Sequence, residues 1–314
     1  MNDTMRVVTQ DALGDADVLR LDRAERPQPE LTEILVRVKA AGLNPVDWKV
    51  RRTGTFLGEP PFRVGWDVSG VVEAVGAGVR TLAPGDEVLG MPRFPAPVGA
   101  YADYVTGPSR HFVRKPAALS HAEAAGLPLA GLTAWQALVD VADVQPGQRV
   151  LVHAAAGGVG HLAVQIAAAK GAHVIGTASA AKHPLLRELG AAEVIDYRTT
   201  DFTTVLSDVD VVLDAIGGDY GPRSLTVLRK GGILVSILSP EENALIEPAA
   251  EYGVNAGFVM VEPDQIGLLG LVDLIEAGKL RIHVDRAFDL DDVVAAHELL
   301  ESGHVTGKVV LTVA

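Results

Sequence analysis

A glycine-rich turn between a strand and a helix constrains the fold of this chain more than any other feature. The turn reads Ala154-Ala155-Ala156-Gly157-Gly158-Val159-Gly160. An apolar strand is predicted before it at Arg149 to His153, and a helix after it at His161 to Lys170. Gly157 lets the backbone approach a ligand closely, and Gly160 lets the helix pack against the strand. The motif departs from G-x-G-x-x-G in its first position, which is alanine. Because the N-terminus of such a helix offers unpaired N–H groups to phosphates, the pattern favours dinucleotide binding over a ligand-free glycine turn.

Strands and helices alternate after this turn. Further strands are predicted at His173 to Thr177, Glu193 to Asp196, Val209 to Asp214, Ile233 to Leu238 and Gly257 to Val261. A helix is predicted at Pro184 to Leu189, and another has Pro222 in its first turn. Alternation of this kind is typical of right-handed βαβ units around a parallel sheet.

The first third of the chain shows a different pattern of short strands separated by turns. Strands are predicted at Glu33 to Ala40, Val68 to Val75 and Glu87 to Leu89, and this spacing favours a partly open β-barrel or a sandwich. After Pro263 the pattern predicts a helix, a strand, a helix and a last strand near Lys308 to Val313. The fold class predicted is α/β, with a β-rich domain over 1–125 that is completed by 263–314. A doubly wound parallel-sheet domain occupies 126–262.

The segment after the second predicted strand distinguishes between the two nicotinamide cofactors. Domains that bind NAD place Asp or Glu about 20 residues after the glycine motif, where it holds the ribose 2′-hydroxyl. Here Thr177, Ser179 and Lys182 occupy that segment, and no carboxylate does. The side chains therefore favour NADPH, whose 2′-phosphate a carboxylate would repel. Taken alone, Lys182 is more typical of a solvated lysine at the start of a helix, and it is the absence of a carboxylate that favours NADPH.

Charge and composition exclude several classes of partner. The formal net charge is −13, and no cluster of Lys or Arg interrupts it, so nucleic acid and anionic membranes are not expected to bind. The chain has no cysteine, which removes disulfides, thiolate nucleophiles and Cys-based zinc sites. Met1 to Arg6 lacks a basic region followed by an apolar run, and polar residues interrupt Val150 to Ala169. We therefore expect a cytoplasmic protein without a membrane span.

Several ordered motifs together resemble one superfamily from Arg6 to Val313. They are the motifs at 41–47 (AGLNPVD), 65–72 (GWDVSGVV), 84–88 (PGDEV), 131–134 (GLTA), 154–160 (AAAGGVG) and 303–310 (GHVTGKVV). The chain resembles the medium-chain dehydrogenase/reductase superfamily, in its zinc-free quinone oxidoreductase branch. The resemblance implies a GroES-like catalytic domain, a Rossmann cofactor domain and a homodimer joined through the last strand of the cofactor sheet.

The resemblance also bears on the chemistry. Zinc-dependent relatives place a Cys at the position of Asn44 and a His at that of Trp66, and neither an amide nor an indole replaces these zinc ligands. Hydride transfer without zinc needs an acceptor that is already electrophilic, such as a quinone or an α,β-unsaturated carbonyl. The predicted reaction is hydride transfer from NADPH to such an acceptor, followed by stabilisation of the oxyanion or enolate by nearby donors.

The family pattern assigns roles to individual residues. Asn44 is expected beside the nicotinamide, and Lys49 is expected to donate to the substrate oxygen or the cofactor ribose, with a plain surface charge as the alternative. Trp66 is expected to line the substrate pocket or to pack in the interior. The remaining cofactor residues implied are Thr133 at the nicotinamide amide or the phosphates, Tyr197 near the adenine ribose phosphate, Ile216 and Gly217 at the nicotinamide ribose, Leu238 and Ser239 near the nicotinamide, and Lys308 at the cofactor. Thr133 and Lys308 also fit ordinary helix and strand positions.

Two other functions fit the same sequence. A protein that binds NADPH without turnover would act as a sensor or structural component. A stand-alone enoyl reductase would act on acyl thioesters, and a basic pocket entrance would be expected for the pantetheine arm. No clear basic patch of this kind is present in the sequence.

Overall fold

A computed structural model describes residues 4–238 and 245–314 of the 314-residue chain. The strands are β1 Thr4–Thr9, β2 Arg20–Glu25, β3 Glu33–Gly42, β4 Asp67–Val75, β5 Glu87–Gly90, β6 Tyr104–Pro108, β7 Phe112–Arg114, β8 Arg149–Val152, β9 His173–Ala178, β10 Glu193–Asp196, β11 Val209–Asp214, β12 Leu228–Ser236, β13 Asn255–Phe258, β14 Val284–Asp289 and β15 Lys308–Thr312. The helices are α1 Pro45–Thr53, α2 His121–Ala125, α3 Pro128–Trp135, α4 Gly160–Ala169, α5 His183–Glu188, α6 Tyr220–Leu225, α7 Ile246–Tyr252, α8 Gln265–Glu276 and α9 Val293–Glu301. A π-helical segment at Gln136–Val141 follows α3 directly.

The chain divides into two compact units. The first comprises residues 1–130, 263–272 and 282–314, and the second comprises 131–262 and 273–281. The first unit contains a two-stranded sheet of β1 and β2 and a seven-stranded sheet, and the second contains a six-stranded sheet.

The second unit contains a six-stranded sheet in the order β10-β9-β8-β11-β12-β13. Every pair of neighbours is parallel. Numbered from β8, the order is 3-2-1-4-5-6, which is the order of a doubly wound dinucleotide-binding fold. The α/β class and the parallel sheet expected from the sequence are confirmed. In folds of this kind, ligands bind at the carboxyl ends of the strands, beside the point where the strand order reverses.

The interior of the second unit explains why α4 forms where it does. Residues 160–167 of this helix are all buried, and apolar residues dominate them, as expected for a helix packed against a sheet. Leu151, Ile175 and Leu234, from three strands, form part of one buried cluster beneath the sheet. Burial of each such side chain contributes about 1.5–3 kcal/mol to folding.

The first unit contains a seven-stranded sheet in the order β14-β15-β3-β4-β5-β7, with β6 paired to β3 as well. All pairs are antiparallel except β14 with β15. The antiparallel pairing of β15 with β3 places Val310 opposite Gly42, and thereby brings the start of β15 beside the residues that precede α1. The GroES-like unit that the sequence predicts is confirmed.

None of the helices in the described ranges is long and apolar enough to cross a membrane.

Candidate active site

The glycine turn joins the carboxyl end of β8 to the first residue of α4. The amide of Ala155 donates to the carbonyl of Thr177 at 3.0 Å and so fastens the turn to β9. Ala154 has a left-handed backbone with a φ of 48°, and Gly157 donates its N–H to the Ala154 carbonyl at 2.8 Å. A Cβ atom on Gly160 would lie 2.3 Å from the same carbonyl oxygen. Glycine is therefore required at the start of α4, which packs closely on the strand as the motif predicts.

The turn also leaves backbone donors unused. Within the described residues, the N–H groups of Ala156, Gly158 and Val159 donate to no acceptor. Among the described residues, a Cβ atom on Gly157 would meet only the Ala154 carbonyl, at 3.2 Å, so these residues leave space beside Gly157. Unpaired amides at the N-terminus of a ten-residue helix attract anions, because the helix dipole adds partial positive charge there. The turn thus fits the diphosphate of a dinucleotide.

The end of β9 lies beside this turn. Thr177 is buried, and Ser179 precedes a single 3₁₀ turn at Ala180–Lys182 that leads into α5. Both Ser179 and Lys182 are half-buried, and no Asp or Glu lies between Gly176 and His183. A hydroxyl and a lysine at this strand end suit a ribose 2′-phosphate, whereas a carboxylate would suit a free hydroxyl.

A cavity of about 270 Å³ lies at the carboxyl ends of β9 and β10. It brings together Thr177 and Tyr197, two of the residues predicted to hold the cofactor. The other lining residues are Ile195, Arg198, Thr199, Thr200, Asp201, Phe202, Tyr220 and Arg223. Aromatic rings can stack on a purine, and hydroxyl and guanidinium groups can bind a phosphate, so the lining suits an adenosine phosphate.

Two aromatic rings and an arginine form one wall of this cavity. The rings of Phe202 and Tyr220 are 5.8 Å apart, with their planes inclined by 22°. The guanidinium of Arg223 lies 4.9 Å from the centre of the Phe202 ring and donates to Asp201 at 2.8 Å. None of these residues was predicted from the sequence. They belong to a turn after β10 and to α6, and only the order of the strands brings them together.

His153 lies in the interior of the second unit and contacts the aromatic rings of the cavity wall. It is fully buried, with Nε2 2.8 Å from the Ser224 hydroxyl and Nδ1 3.2 Å from the Thr177 hydroxyl. Its ring also makes edge contacts with Phe202 and Tyr220. Burial lowers the pKa of His153 to about 4, so the imidazole is neutral at pH 7. These contacts tie together two strands of the sheet and α6.

The residues predicted for the nicotinamide end occupy three places in the second unit. Ile216 and Gly217 donate their N–H groups, at 2.9 and 3.0 Å, to the carboxylate that ends β11. A Cβ atom on Gly217 would lie 2.4 Å from Cδ1 of Leu238, so these two residues are in contact. Thr133 is buried in α3. Ser239 lies outside the described residues.

In the first unit, Asn44 and Lys49 are held by the same short helix. Asn44 precedes α1, which starts at Pro45 and ends at Gly54 with a left-handed φ of 70°. The N–H of Asn44 donates to the Asp47 carboxylate at 2.6 Å and closes the first turn. Lys49 lies about one turn further along and is half-buried. The position of Lys49 thus depends on how the start of α1 is fixed.

A buried polar cluster fixes that start. The Asn44 side chain donates from Nδ2 to Asp67 Oδ2 at 2.9 Å. Lys308 donates from Nζ to the carbonyl of Leu43 at 2.8 Å and to Oδ1 of Asn44, and its Nζ is 3.6 Å from Asp67 Oδ2. The N–H of Leu129 donates to the second Asp67 oxygen at 2.7 Å. Although the family pattern implies that Lys308 reaches the cofactor, the structure places its ammonium among acceptors of the protein itself.

The pKa values of the ionisable groups in this cluster are shifted from their ordinary values. Burial raises the pKa of Asp47 to about 7, and the nearby charge of Asp67 adds to the rise. Burial also raises the pKa of Asp67, while the charge of Lys308 opposes that rise. The pKa of Lys308 is lowered by burial, against the attraction of the two carboxylates. The ammonium of Lys308 thus interacts with two buried carboxyl groups whose pKa values are both raised.

Trp66 lies behind a loop that carries another aromatic residue. Its indole N–H donates to the Ala96 carbonyl at 2.8 Å, and none of its surface is exposed. The ring contacts Phe94 edge-on at 5.3 Å, and Phe94 in turn contacts Phe56 at 6.1 Å. Phe56 is 53% exposed. Phe56 and Phe94 were not predicted from the sequence. They extend the aromatic contacts from the buried Trp66 to the exposed Phe56.

The described residues do not fit a metal site. Over 4–238 and 245–314 no three His, Cys, Asp or Glu side chains form a group that could hold a metal ion. The amide of Asn44 is engaged by Asp67 and Lys308, and the indole of Trp66 is a donor that no metal accepts.

Comparison with known proteins identifies the family. Residues 30–117 match the alcohol dehydrogenase GroES-like domain, and residues 189–311 match a family described as zinc-binding dehydrogenase. The chain is 36% identical to 2-methylene-furan-3-one reductase of Solanum lycopersicum, over 95% of this chain and 76% of that protein. The structure of the quinone oxidoreductase from Coxiella burnetii matches with a TM-score of 0.94 and 39% identity, and covers 99% of this chain and 100% of that one. This chain belongs to the quinone oxidoreductase branch of the medium-chain dehydrogenase/reductase superfamily.

A second solved quinone oxidoreductase bears on the cofactor. The Escherichia coli enzyme, in a crystal structure complexed with NADPH, matches with a TM-score of 0.87 and 29% identity, over 98% of this chain and 100% of that one. As a member of this family, the protein is an oxidoreductase that uses a nicotinamide cofactor, in agreement with the prediction from the glycine turn.

Proposed function

We propose that this protein reduces quinones or α,β-unsaturated carbonyls with NADPH and without zinc. The observation that carries the proposal is the glycine turn, where three N–H groups donate to no acceptor among the described residues at the start of α4. Ala156, Gly158 and Val159 would bind the diphosphate, and the closely packed Gly160 keeps the helix end in place.

The preference for NADPH rests on the end of β9 and on the neighbouring cavity. Lys182 and Ser179 would bind the 2′-phosphate, and Thr177 and Tyr197 would contact the adenosine from the cavity wall. Arg198 lines the same cavity and lies 5.8 Å from the centre of the Tyr197 ring. Cationic and hydroxyl groups without a carboxylate at the strand end favour a phosphate over a free hydroxyl.

Residues of the second unit would hold the nicotinamide end of the cofactor. Ile216 and Gly217 would contact the ribose, with Leu238, Thr133 and Ser239 near the ring. Bound NADPH would supply the hydride. Asn44 would orient the nicotinamide or the acceptor, and Lys49 would donate a hydrogen bond to the acceptor oxygen as negative charge develops on it. Because the described residues offer no zinc ligand set, the acceptor itself must be electrophilic.

Steady-state oxidation of NADPH with a panel of quinones and 2-alkenals tests this function. We expect turnover with at least one acceptor, a preference for NADPH over NADH, and no loss after treatment with a zinc chelator. Lys49→Met should lower kcat, while Lys279→Met, at an exposed position in the second unit, should not. Loss of turnover on chelation would overturn the zinc-free chemistry.

Two other outcomes would identify another function. Tight NADPH binding with no turnover on any acceptor would indicate a sensor or structural protein. Turnover confined to enoyl thioesters would indicate an enoyl reductase.

We also propose that the protein forms a homodimer through β13. This strand ends the sheet and pairs only with β12 among the described strands, and it bears the exposed Phe258, with Met260 two residues beyond. An exposed, apolar edge strand is a ready site for pairing with a second copy. Light scattering after gel filtration should give the dimer mass for the wild type and the monomer mass for Phe258→Asp. A monomeric wild type would contradict the proposal.

A further inference from the structure

The side-chain amide of Asn44 has only one orientation that satisfies its neighbours. Its Oδ1 faces the ammonium of Lys308, which can only donate. Its Nδ2 faces a carboxylate oxygen of Asp67, which accepts at 2.9 Å. If the amide were rotated by half a turn, two donors would face each other on one side and two acceptors on the other. The Lys308–Asp67 pair therefore determines which amide atom lies on which side.

This orientation determines what Asn44 can offer to a ligand. The oxygen is engaged by Lys308, and one hydrogen of Nδ2 is engaged by Asp67. The second hydrogen of Nδ2 has no acceptor among the described residues. Asn44 is thus set to act as a donor, and a carbonyl or an oxyanion is the group that it would recognise.

Neighbouring backbone groups restrict the position of the Asp67 carboxylate. A Cβ atom on Gly42 would lie 2.3 Å from the Ala125 carbonyl, which requires glycine there, and 3.1 Å from Asp67 Oδ2, so the glycine also leaves this carboxylate more space. The N–H of Leu129 fixes the other Asp67 oxygen. Asp67 and Lys308 are almost completely buried, so neither side chain can adopt another rotamer without losing its partners.

We propose that Lys308 and Asp67 are positioning residues that hold the Asn44 amide with its N–H toward the ligand. The inference rests on the proposed function, in which Asn44 acts at the nicotinamide or the acceptor. Lys308 then acts through Asn44 and not by contact with the cofactor. The same ammonium donates to the Leu43 carbonyl and so fixes the start of α1, which carries Lys49.

The test compares Lys308→Met with the double variant Lys308→Met/Asp67→Asn. The single variant leaves the Asp67 carboxylate buried without its counterion and should be strongly destabilised. The double variant removes both charges and should regain stability. Because the Leu129 N–H needs an oxygen opposite it, the new amide at position 67 presents its own N–H toward Asn44. The Asn44 amide must then turn its oxygen to that side and lose its orientation toward the ligand.

Three measurements on each protein decide the inference: the unfolding midpoint, the Kd for NADPH by fluorescence, and kcat with the best acceptor. We expect the double variant to show wild-type stability and Kd but a kcat reduced roughly tenfold to a hundredfold. Lys279→Met is the matched control and should change none of the three. The double variant alone decides the matter even if the single variant fails to fold.

Each contrary result has a distinct meaning. A kcat that returns with stability would show a merely structural role for the pair and overturn the inference. A Kd for NADPH that is weakened in the double variant but unchanged in Asn44→Ala would show that Lys308 contacts the cofactor itself, which also overturns the inference. If the wild type itself does not oxidise NADPH with any acceptor, the proposed function fails, and this result is separate from either of the others.

Discussion

Gly160 and Ala154 are in such close contact that a Cβ atom on Gly160 would lie 2.3 Å from the Ala154 carbonyl oxygen. Gly157, three residues earlier, has only that carbonyl within 4 Å of its ideal Cβ position among residues 4–238 and 245–314, at 3.2 Å. The two glycines of this turn therefore have different roles. Gly160 allows the start of α4 to pack against the backbone of the turn, and Gly157 leaves space for a ligand.

This difference predicts opposite effects for two matched substitutions. Gly160→Ala should lower the free energy of unfolding by about 3 kcal/mol, because the new methyl group meets backbone that cannot move away easily. Gly157→Ala should leave stability nearly unchanged and weaken NADPH binding roughly tenfold, because the methyl group enters the space of the diphosphate. Urea unfolding and fluorescence titration measure the two effects. Equal loss of stability in both variants would contradict the assignment.

Lys182 is expected to select NADPH over NADH. Lys182→Ala should weaken NADPH binding by roughly tenfold and leave NADH binding unchanged, since only the former carries a 2′-phosphate. Lys230→Ala, at an exposed position of the same unit, is the control for a general change in charge. An unchanged ratio of the two affinities in Lys182→Ala would remove this residue from the phosphate site and leave Arg198 as the cation to test next.

Asp47 makes stability depend on pH in an unusual direction. Its pKa rises from 3.8 to about 7 on folding, so the folded protein holds this proton more tightly than the unfolded chain does. The contribution is fully present below about pH 4 and is lost as the pH rises through about 7. Asp47→Asn should remove this loss, so the variant should gain stability relative to wild type between pH 4 and pH 8. Urea unfolding across that range checks it, with the exposed Asp273→Asn as control. A constant difference between variant and wild type would exclude Asp47 as the titrating group.

His153 should act in the opposite sense. Burial lowers its pKa from 6.5 to about 4, so the unfolded chain takes up a proton that the folded protein refuses. The stability contribution is therefore present above about pH 6.5 and is lost as the pH falls toward 4. His153→Gln should make the second unit less sensitive to acid in this range, at the expense of some stability at pH 7 from poorer packing on Phe202. An unchanged acid sensitivity in thermal unfolding would rule out this histidine as its source.

The parts of the fold that sequence could predict are those set by local pattern. β10 and β11 have the predicted bounds, and α4 starts one residue before the predicted start, because alternating apolar runs and a glycine turn mark them locally. By contrast, β12 starts five residues earlier than predicted, since Lys230-Gly231-Gly232 resembles a turn but lies within the strand as an irregularity in pairing. α6 begins two residues before Pro222, which the first turn of a helix tolerates.

The candidate site likewise contains some features that local sequence patterns predict and others that only the tertiary fold creates. The diphosphate turn and the end of β9 are contiguous in sequence, and their residue types indicate their chemistry. The cavity wall at Phe202 and Tyr220 is assembled by the strand order, and the bond between Lys308 and Asn44 joins residues 264 positions apart. No local pattern marks either pair, and the antiparallel register of β15 on β3 is what brings the second pair together.

The same long-range bond has a consequence for synthesis on the ribosome. The strands that surround Asp67 emerge early, but their neighbour β15 is translated only after the entire second unit. Until that strand docks, Asp67 lacks the Lys308 ammonium that lies 3.6 Å from it in the folded unit. We therefore expect the second unit, whose strands are all contiguous in the chain, to fold during translation, and the first unit to complete its folding last.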